Sequence, residues 1–258
     1  MRLHYQVQGD GSPLLALHGF LGSLDNWRAM SKRLARHHRV YTIDLRNHGA
    51  SPHDPVMNYR VMAEDLRDFF VDHDLSSAHL LGHSMGGKVA MQFALSFPTQ
   101  VEKLVIVDIA PRAYAPEHRP LLDALLRLPV QTFATYAEID AALAPSVPDT
   151  ALRQFLSKNL LRNETGGFRW RIALDAISKN YDQLTQAIET TKPFTKPTLF
   201  IRAVRSRFIQ DSDNADIRKM FSNAEIVMIA DAGHWVHIDA AEGFYQVVTQ
   251  FLAQAKPQ

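Results

Sequence analysis

LLGHSMGGK, residues 80–88, reads as a strand that ends on a sharp turn and runs straight into a helix. Two leucines close an apolar run, Gly82-His83-Ser84-Met85-Gly86 match G-x-S-x-G, and a helical pattern begins at once. A chain built this way places a nucleophilic serine above a strand end. Gly82 and Gly86 let the turn form without clashes, Ser84 projects from it, and the Met85 amide at the helix start points toward the place of an oxyanion. A structural serine in a glycine-rich turn is the alternative. A serine hydroxyl is a weak nucleophile without a base, and the base needs an acid to orient it.

Outward from this turn, short apolar runs alternate with helical patterns. LLALHG (14–19), VYTIDL (40–45), AHLLGH (78–83), KLVIVDIA (103–110), PTLFIRAV (197–204) and EIVMIADA (225–232) read as buried strands. Between them DNWRAMSKRLARHH, YRVMAEDLRDFFVDH and MGGKVAMQFALSF carry apolar residues three or four apart. Phe244, Val247, Val248, Phe251, Leu252 and Ala255 form the stripe of a last helix. The alternation predicts an α/β fold, a mostly parallel sheet covered by helices on both faces. Residues 111–190 break the rhythm with several helical patterns, prolines between them, and a turn at NETGG into a short extended piece. They read as a helical cap inserted into a core of residues 1–110 and 191–258, a frequent form of active-site lid.

With 258 residues the chain can bury a sizeable core, and 46% apolar with 21% charged residues is a globular composition. A formal net charge of +1 gives no electrostatic basis for binding nucleic acid or a membrane surface. Zero cysteines exclude disulfides, thiolate catalysis and cysteine-ligated metals. No stretch approaches the roughly 20 apolar residues of a membrane span, and MRLHYQVQGDGSP has no signal-peptide core. A soluble cytoplasmic protein is the expectation.

A second oxyanion donor belongs on the loop after an earlier strand, where LHGFLGS lies; Gly19 frees the backbone so that the Phe20 amide can face the serine. His18 suits a loop-shaping hydrogen bond better than the role of base. Among twelve histidines, His234 in ADAGHWVHID is the choice by position, after the last strand and beside Gly233. His237 stands further into the next element, and His83 adjoins the nucleophile but points away from it. His37 and His38 end a helix among arginines and read as solvated.

LHGFLGSLDNW, DLRNHGASP, GHSMGGKVAM, VDIAP and AGHWVH occur in the order and spacing of α/β-hydrolase fold proteins, and the wording most resembles the YbfF-type bacterial esterases. The resemblance covers the core, 1–110 and 195–258, and is weaker in the cap. It implies hydrolysis of small-molecule acyl esters, with acyl-CoA thioesters as a further class, and neither a metal nor an organic cofactor. It also sharpens the search for the acid. In most such proteins the acid follows the strand after the cap, where Ser206 and Arg207 stand here. Asp211 and Asp213 precede a helical pattern and suit N-capping. Asp44 comes before Ser84 in the chain, against the fold's order, and Asp231 is too near His234 in one loop. Asp108, at the end of KLVIVDIAP, should emerge at the same rim, and the YbfF-type pattern puts its acid at the matching position.

Ser84, His234 and Asp108 are thus the candidate triad, with the Phe20 and Met85 amides as oxyanion donors. Leu121, Leu122, Leu125, Leu126, Phe133 and Trp170 line an acyl pocket or form the cap's own core. Trp235 joins the candidate substrate contacts. The resemblance places Arg205 and Arg207 at the active-site rim, as ligands of a carboxylate or a coenzyme A phosphate, or as solvated surface groups. Two other functions stay open: C–C bond hydrolysis or lyase chemistry on the same triad, and a ligand-binding receptor that keeps the fold without turnover.

Overall fold

The computed structural model describes residues 1–254; Ala255 of the last apolar stripe lies outside them. The chain opens with β1 (Tyr5–Gln8) and β2 (Ser12–Leu17), followed by α1 (Arg28–Leu34), β3 (His38–Ile43) and α2 (Tyr59–Asp72). Next come β4 (Ala78–His83), α3 (Met85–Ser96) and β5 (Val101–Val107). The segment 111–190 holds α4 (Arg119–Arg127), α5 (Tyr136–Leu143), α6 (Thr150–Ser157), a hairpin of β6 (Leu160–Arg162) and β7 (Phe168–Trp170), then α7 (Leu174–Lys179) and α8 (Tyr181–Thr185). The chain closes with β8 (Thr198–Ala203), α9 (Asn214–Met220), β9 (Ala224–Ile229), α10 (Val236–Asp239) and α11 (Ala241–Ala253).

Seven strands form one sheet in the order β1-β3-β2-β4-β5-β8-β9. Only β1 is antiparallel, pairing Tyr5 with Ile43 and Gln8 with Val40. The central parallel strands β2, β4, β5 and β8 are nearly continuous buried apolar runs because both faces are covered. On one face Trp27, just before α1, packs with Met30 and Leu34 of α1 and Phe244 and Val248 of α11 against Leu14, Val105 and Ile201. On the other, α2 and α3 pack Leu66, Phe70, Val89 and Phe93 against Leu15, Leu80 and Ile106. The inserted segment extends that second core through Leu122, Leu125, Ile139 and Leu156. It is not wholly helical: Leu160 and Leu161, which continue a helical pattern in the sequence, pair as strand with Trp170 and Arg169. No helix among the described residues is long and apolar enough to cross a membrane.

The register aligns the strand ends that matter. Leu17 pairs with Gly82, His83 with Val107, and Val107 with Ile201. The loops carrying Phe20, Ser84 and Asp108 therefore leave the sheet side by side. The chain runs from β2 outward to β3 and then returns to β4 on the other side of β2. This reversal opens a crevice at the carboxyl ends of the strands, where α/β sheets bind ligands.

Candidate active site

Ser84 follows β4 at φ 52°, ψ −119° and caps α3. A side-chain-bearing residue in the left-handed region is strained, and such strain collects at functional positions. The turn is held by Ser84 N donating to Val107 O at 3.0 Å and Lys88 N donating to Ser84 O at 3.1 Å. Glycine is required beside it by close backbone approach. A Cβ on Gly86 would lie 2.5 Å from the carbonyl oxygens of Leu17 and His18, and one on Gly82 2.3 Å from Gly86 O.

Asp108 follows β5 and is also in the left-handed region, at φ 49°. Fully buried, it accepts at Oδ1 from Ala203 N (3.2 Å), and at Oδ2 from His234 Nδ1 (2.8 Å) and from Ser206 Oγ. A carboxylate on Nδ1–H fixes the tautomer and leaves Nε2 free to take a proton. Phe208 packs its ring on the imidazole at 4.1 Å between centroids, and His83 Nε2 donates to the His234 carbonyl at 2.8 Å. Ser84 and His234 line one cavity of about 100 Å³. No hydrogen bond joins Ser84 Oγ to the imidazole, a contact that commonly tightens only when substrate is bound. Neither the Phe20 nor the Met85 amide has a backbone acceptor among the described residues, so both are free to donate to a ligand.

Several other histidines shape the fold. His18 donates from Nδ1 to Gly19 O (2.8 Å) and accepts at Nε2 from Leu45 N (3.0 Å). His48 does the same with Arg46 O (2.9 Å) and Leu21 N (3.2 Å). Burial lowers His18 to about 4 and His48 to about 3. His237 stacks on Trp27 with centroids 4.4 Å apart. His37 is exposed, but His38 corrects the expectation of solvation: it opens β3, is buried, and bonds Ser12 Oγ at 2.9 Å. Asp44 accepts from Leu24 N and Ala50 N, both at 2.8 Å, and organises its loop. Asp213 accepts from Gln210 N at a helix start, Asp211 pairs with Arg202, and the Asp231 carbonyl accepts from Arg205.

Ser84 sits between two chambers. The smaller holds His234, Leu121, Leu152, Phe155, Leu156 and Trp235 on its walls. The larger, about 320 Å³, is lined with Met85, Ile109, Tyr59, Tyr114, Tyr181 and Lys88, and Phe20 borders both. Trp235 thus reaches the site. Trp170 does not: the β6–β7 hairpin turns it into a separate cleft with His53, Pro55 and Leu174. Arg205 is exposed, holds Asp231 O and lines neither chamber. Arg207 does line the larger one, paired with Glu117. Of the four leucines that the sequence singled out in the inserted segment, Leu122 and Leu125 are core, Leu126 is 39% exposed, and Leu121 alone faces a chamber. Phe133 packs against the core away from both chambers. Ser206, Phe208 and Lys88 escaped the sequence reading as parts of the site, although Ser206 occupies the place where an acid was sought.

The fold agrees with similarity to known proteins: residues 12–241 match the family described as the alpha/beta hydrolase fold, and the chain belongs to that family. The sn-1-specific diacylglycerol lipase ABHD11 of Mus musculus is 36% identical over 96% of this chain and 83% of its own length. Esterase YbfF of Escherichia coli is 32% identical over 96% of this chain and 95% of its own. The solved structure of a marine microorganism esterase, 38% identical, matches with a TM-score of 0.94 and covers 96% of this chain and 98% of that one.

Proposed function

We propose that the protein is a serine hydrolase that cleaves carboxylic esters of small molecules through an acyl-enzyme. In this proposal Ser84 is the nucleophile, His234 the base and Asp108 the acid. The observation that carries it is the 2.8 Å bond between Asp108 and His234 beside a serine held at φ 52°. Similarity to two esterases and a lipase supports the ester as the bond class.

Ser84 Oγ attacks the carbonyl carbon while His234 Nε2 takes its proton. The Phe20 and Met85 amides receive the developing oxyanion, where preorganised donors act most strongly. Protonated His234 then delivers the proton to the leaving oxygen, and water repeats the cycle on the acyl-enzyme. The leaving oxygen must reach the imidazole, and His234 lines the smaller chamber but not the larger. The alcohol is accordingly assigned to the smaller chamber and the acyl group to the larger one. Acyl-CoA thioesters are a second class for the same attack, since the oxyanion donors act on either carbonyl. Residues 111–190 serve as the lid: α4 and α6 supply Leu121, Leu152, Phe155 and Leu156 to the smaller chamber, and Tyr181 reaches the larger from α8.

Asp108→Asn separates this proposal from a fold that merely binds. The amide would present the wrong partner to Nδ1 and lose the preferred tautomer, and kcat should fall about 10⁴-fold. Turnover of p-nitrophenyl acyl esters and acyl-CoA thioesters by wild type and variant checks this. An Asp108→Asn protein with wild-type kcat would remove Asp108 from the proposal.

A further inference from the structure

Lys88 stands one helical turn beyond Ser84 on α3 and is 1% exposed. An ammonium in that position must satisfy three donors and one charge without water. Nζ donates to Arg112 O at 2.8 Å and to Gln186 O at 2.5 Å. These carbonyls lie where the inserted segment leaves the core and where it returns, so two donors fasten its ends. The third donor has no acceptor among the described residues. The charge has no carboxylate either, and the guanidinium that acts on it, Arg112, has the same sign.

The ring centroids of Tyr114 and Tyr59 lie 4.9 and 5.5 Å from Nζ. Such ring faces offset part of the cost of burying the cation. Both rings, Arg112 and Lys88 itself line the larger chamber with Ser84. The other cations there are committed: Arg112 donates to Asp213 at 2.9 Å and Arg207 pairs with Glu117. Buried charges are normally paired, and an unpaired one facing a ligand chamber calls for an anion.

Resting on the ester-hydrolase function above, we propose that Lys88 is a specificity-determining residue whose free N–H receives a carboxylate at the far end of the acyl group. The preferred substrates are then half-esters of dicarboxylic acids. Water splits the ester into an alcohol and a dicarboxylate, and the distal carboxylate is unchanged by the reaction. Burial and Arg112 lower Lys88 to about 7, and a bound carboxylate would restore full protonation. The preference should therefore weaken as pH rises through this value. Among the groups facing the ammonium, burial raises Tyr59 and Tyr114 so that they stay neutral phenols, and Arg112 is a permanent cation.

The test compares kcat/KM for monomethyl succinate, glutarate and adipate with neutral esters of matched shape, methyl 5-methylhexanoate being the partner of monomethyl glutarate. At pH 6.5 wild type should favour the anion at least 10-fold in one pair, and Lys88→Met should bring that ratio to one or below. The wild-type ratio should fall by pH 8.5, with the triad's own titration cancelling between the two substrates. Competitive inhibition of methyl 5-methylhexanoate hydrolysis by glutarate gives a readout that needs no variant. Neutral esters preferred at every length, with no inhibition by dicarboxylates, would overturn the proposal. So would equal losses on both substrates in Lys88→Met, which would leave Lys88 only the fastening of the two carbonyls. Failure of the ester-hydrolase reading itself looks different: neither ester is turned over and Ser84 is not labelled by a fluorophosphonate.

Discussion

Ser84→Ala is expected to abolish covalent labelling by a fluorophosphonate and to lower ester turnover by about 10⁶-fold, with His234→Ala close behind. The two variants should cost alike because neither group has a partner for proton transfer once the other is gone. The fold should persist in Ser84→Ala. Alanine keeps the Cβ that already occupies the turn at φ 52°, and the backbone bonds to Val107 and from Lys88 are untouched. Intact mass reads the result without any knowledge of the natural substrate: one phosphonyl adduct on wild type, none on Ser84→Ala. An adduct that survives Ser84→Ala would place the reactive group elsewhere. A folded wild type that takes no adduct would favour a ligand-binding protein that has kept the hydrolase architecture.

A second large effect is expected on stability below neutral pH. Burial lowers His18 to about 4, His48 to about 3 and His237 to about 3, and holds His83 well below its ordinary value. Their unfolded values are near 6.5. With folded values lowered, the unfolded chain binds more protons across this window, so stability is whole above about pH 7 and is lost as pH falls through 6.5 toward 3–4. At pH 5 each of His18, His48 and His237 costs about 2 kcal/mol. Summed over several sites, that is comparable to the roughly 5–15 kcal/mol that holds a domain folded. Thermal melts at pH 7.5, 6 and 5 should show a steep decline in Tm, with almost one proton taken up per buried histidine on unfolding near pH 5.5. A Tm unchanged from pH 7.5 to 5 would mean that these imidazoles are not held neutral.

The parallel strands could be read from the sequence because a strand covered on both faces is apolar at every position. AHLLGH gives β4 to the residue, and the glycines around Ser84 mark a turn that few other residues permit. β1 escaped because it is an exposed edge strand with only half-buried ends, so its burial leaves no clear alternation. The turn at NETGG and the extended piece after it, which is β7, were legible, but β6 was hidden because Leu160 and Leu161 extend the apolar spacing of α6 while a tertiary pairing claims them for a strand. Asp108 was placed by its strand end, but nothing local announces a left-handed aspartate or the serine that comes from β8's loop to bond it. Trp170 was misplaced because an aromatic residue in an inserted segment says nothing about which way its hairpin turns. Lys88 was visible as a letter but not as a buried charge, since burial is decided by the returning chain near Gln186.

His83 precedes the candidate nucleophile and was set aside as a base, yet its ring holds the main chain of His234. The loop after β9 is thereby tethered to the last residue of β4, one position from Ser84. Any drift of the imidazole away from the hydroxyl must stretch that tether as well as the bond to Asp108. Alignment of the two groups proposed to react is thus referenced to a single strand end rather than accumulated along the chain between them, and an error in the packing of the inserted segment need not reach the proposed proton transfer.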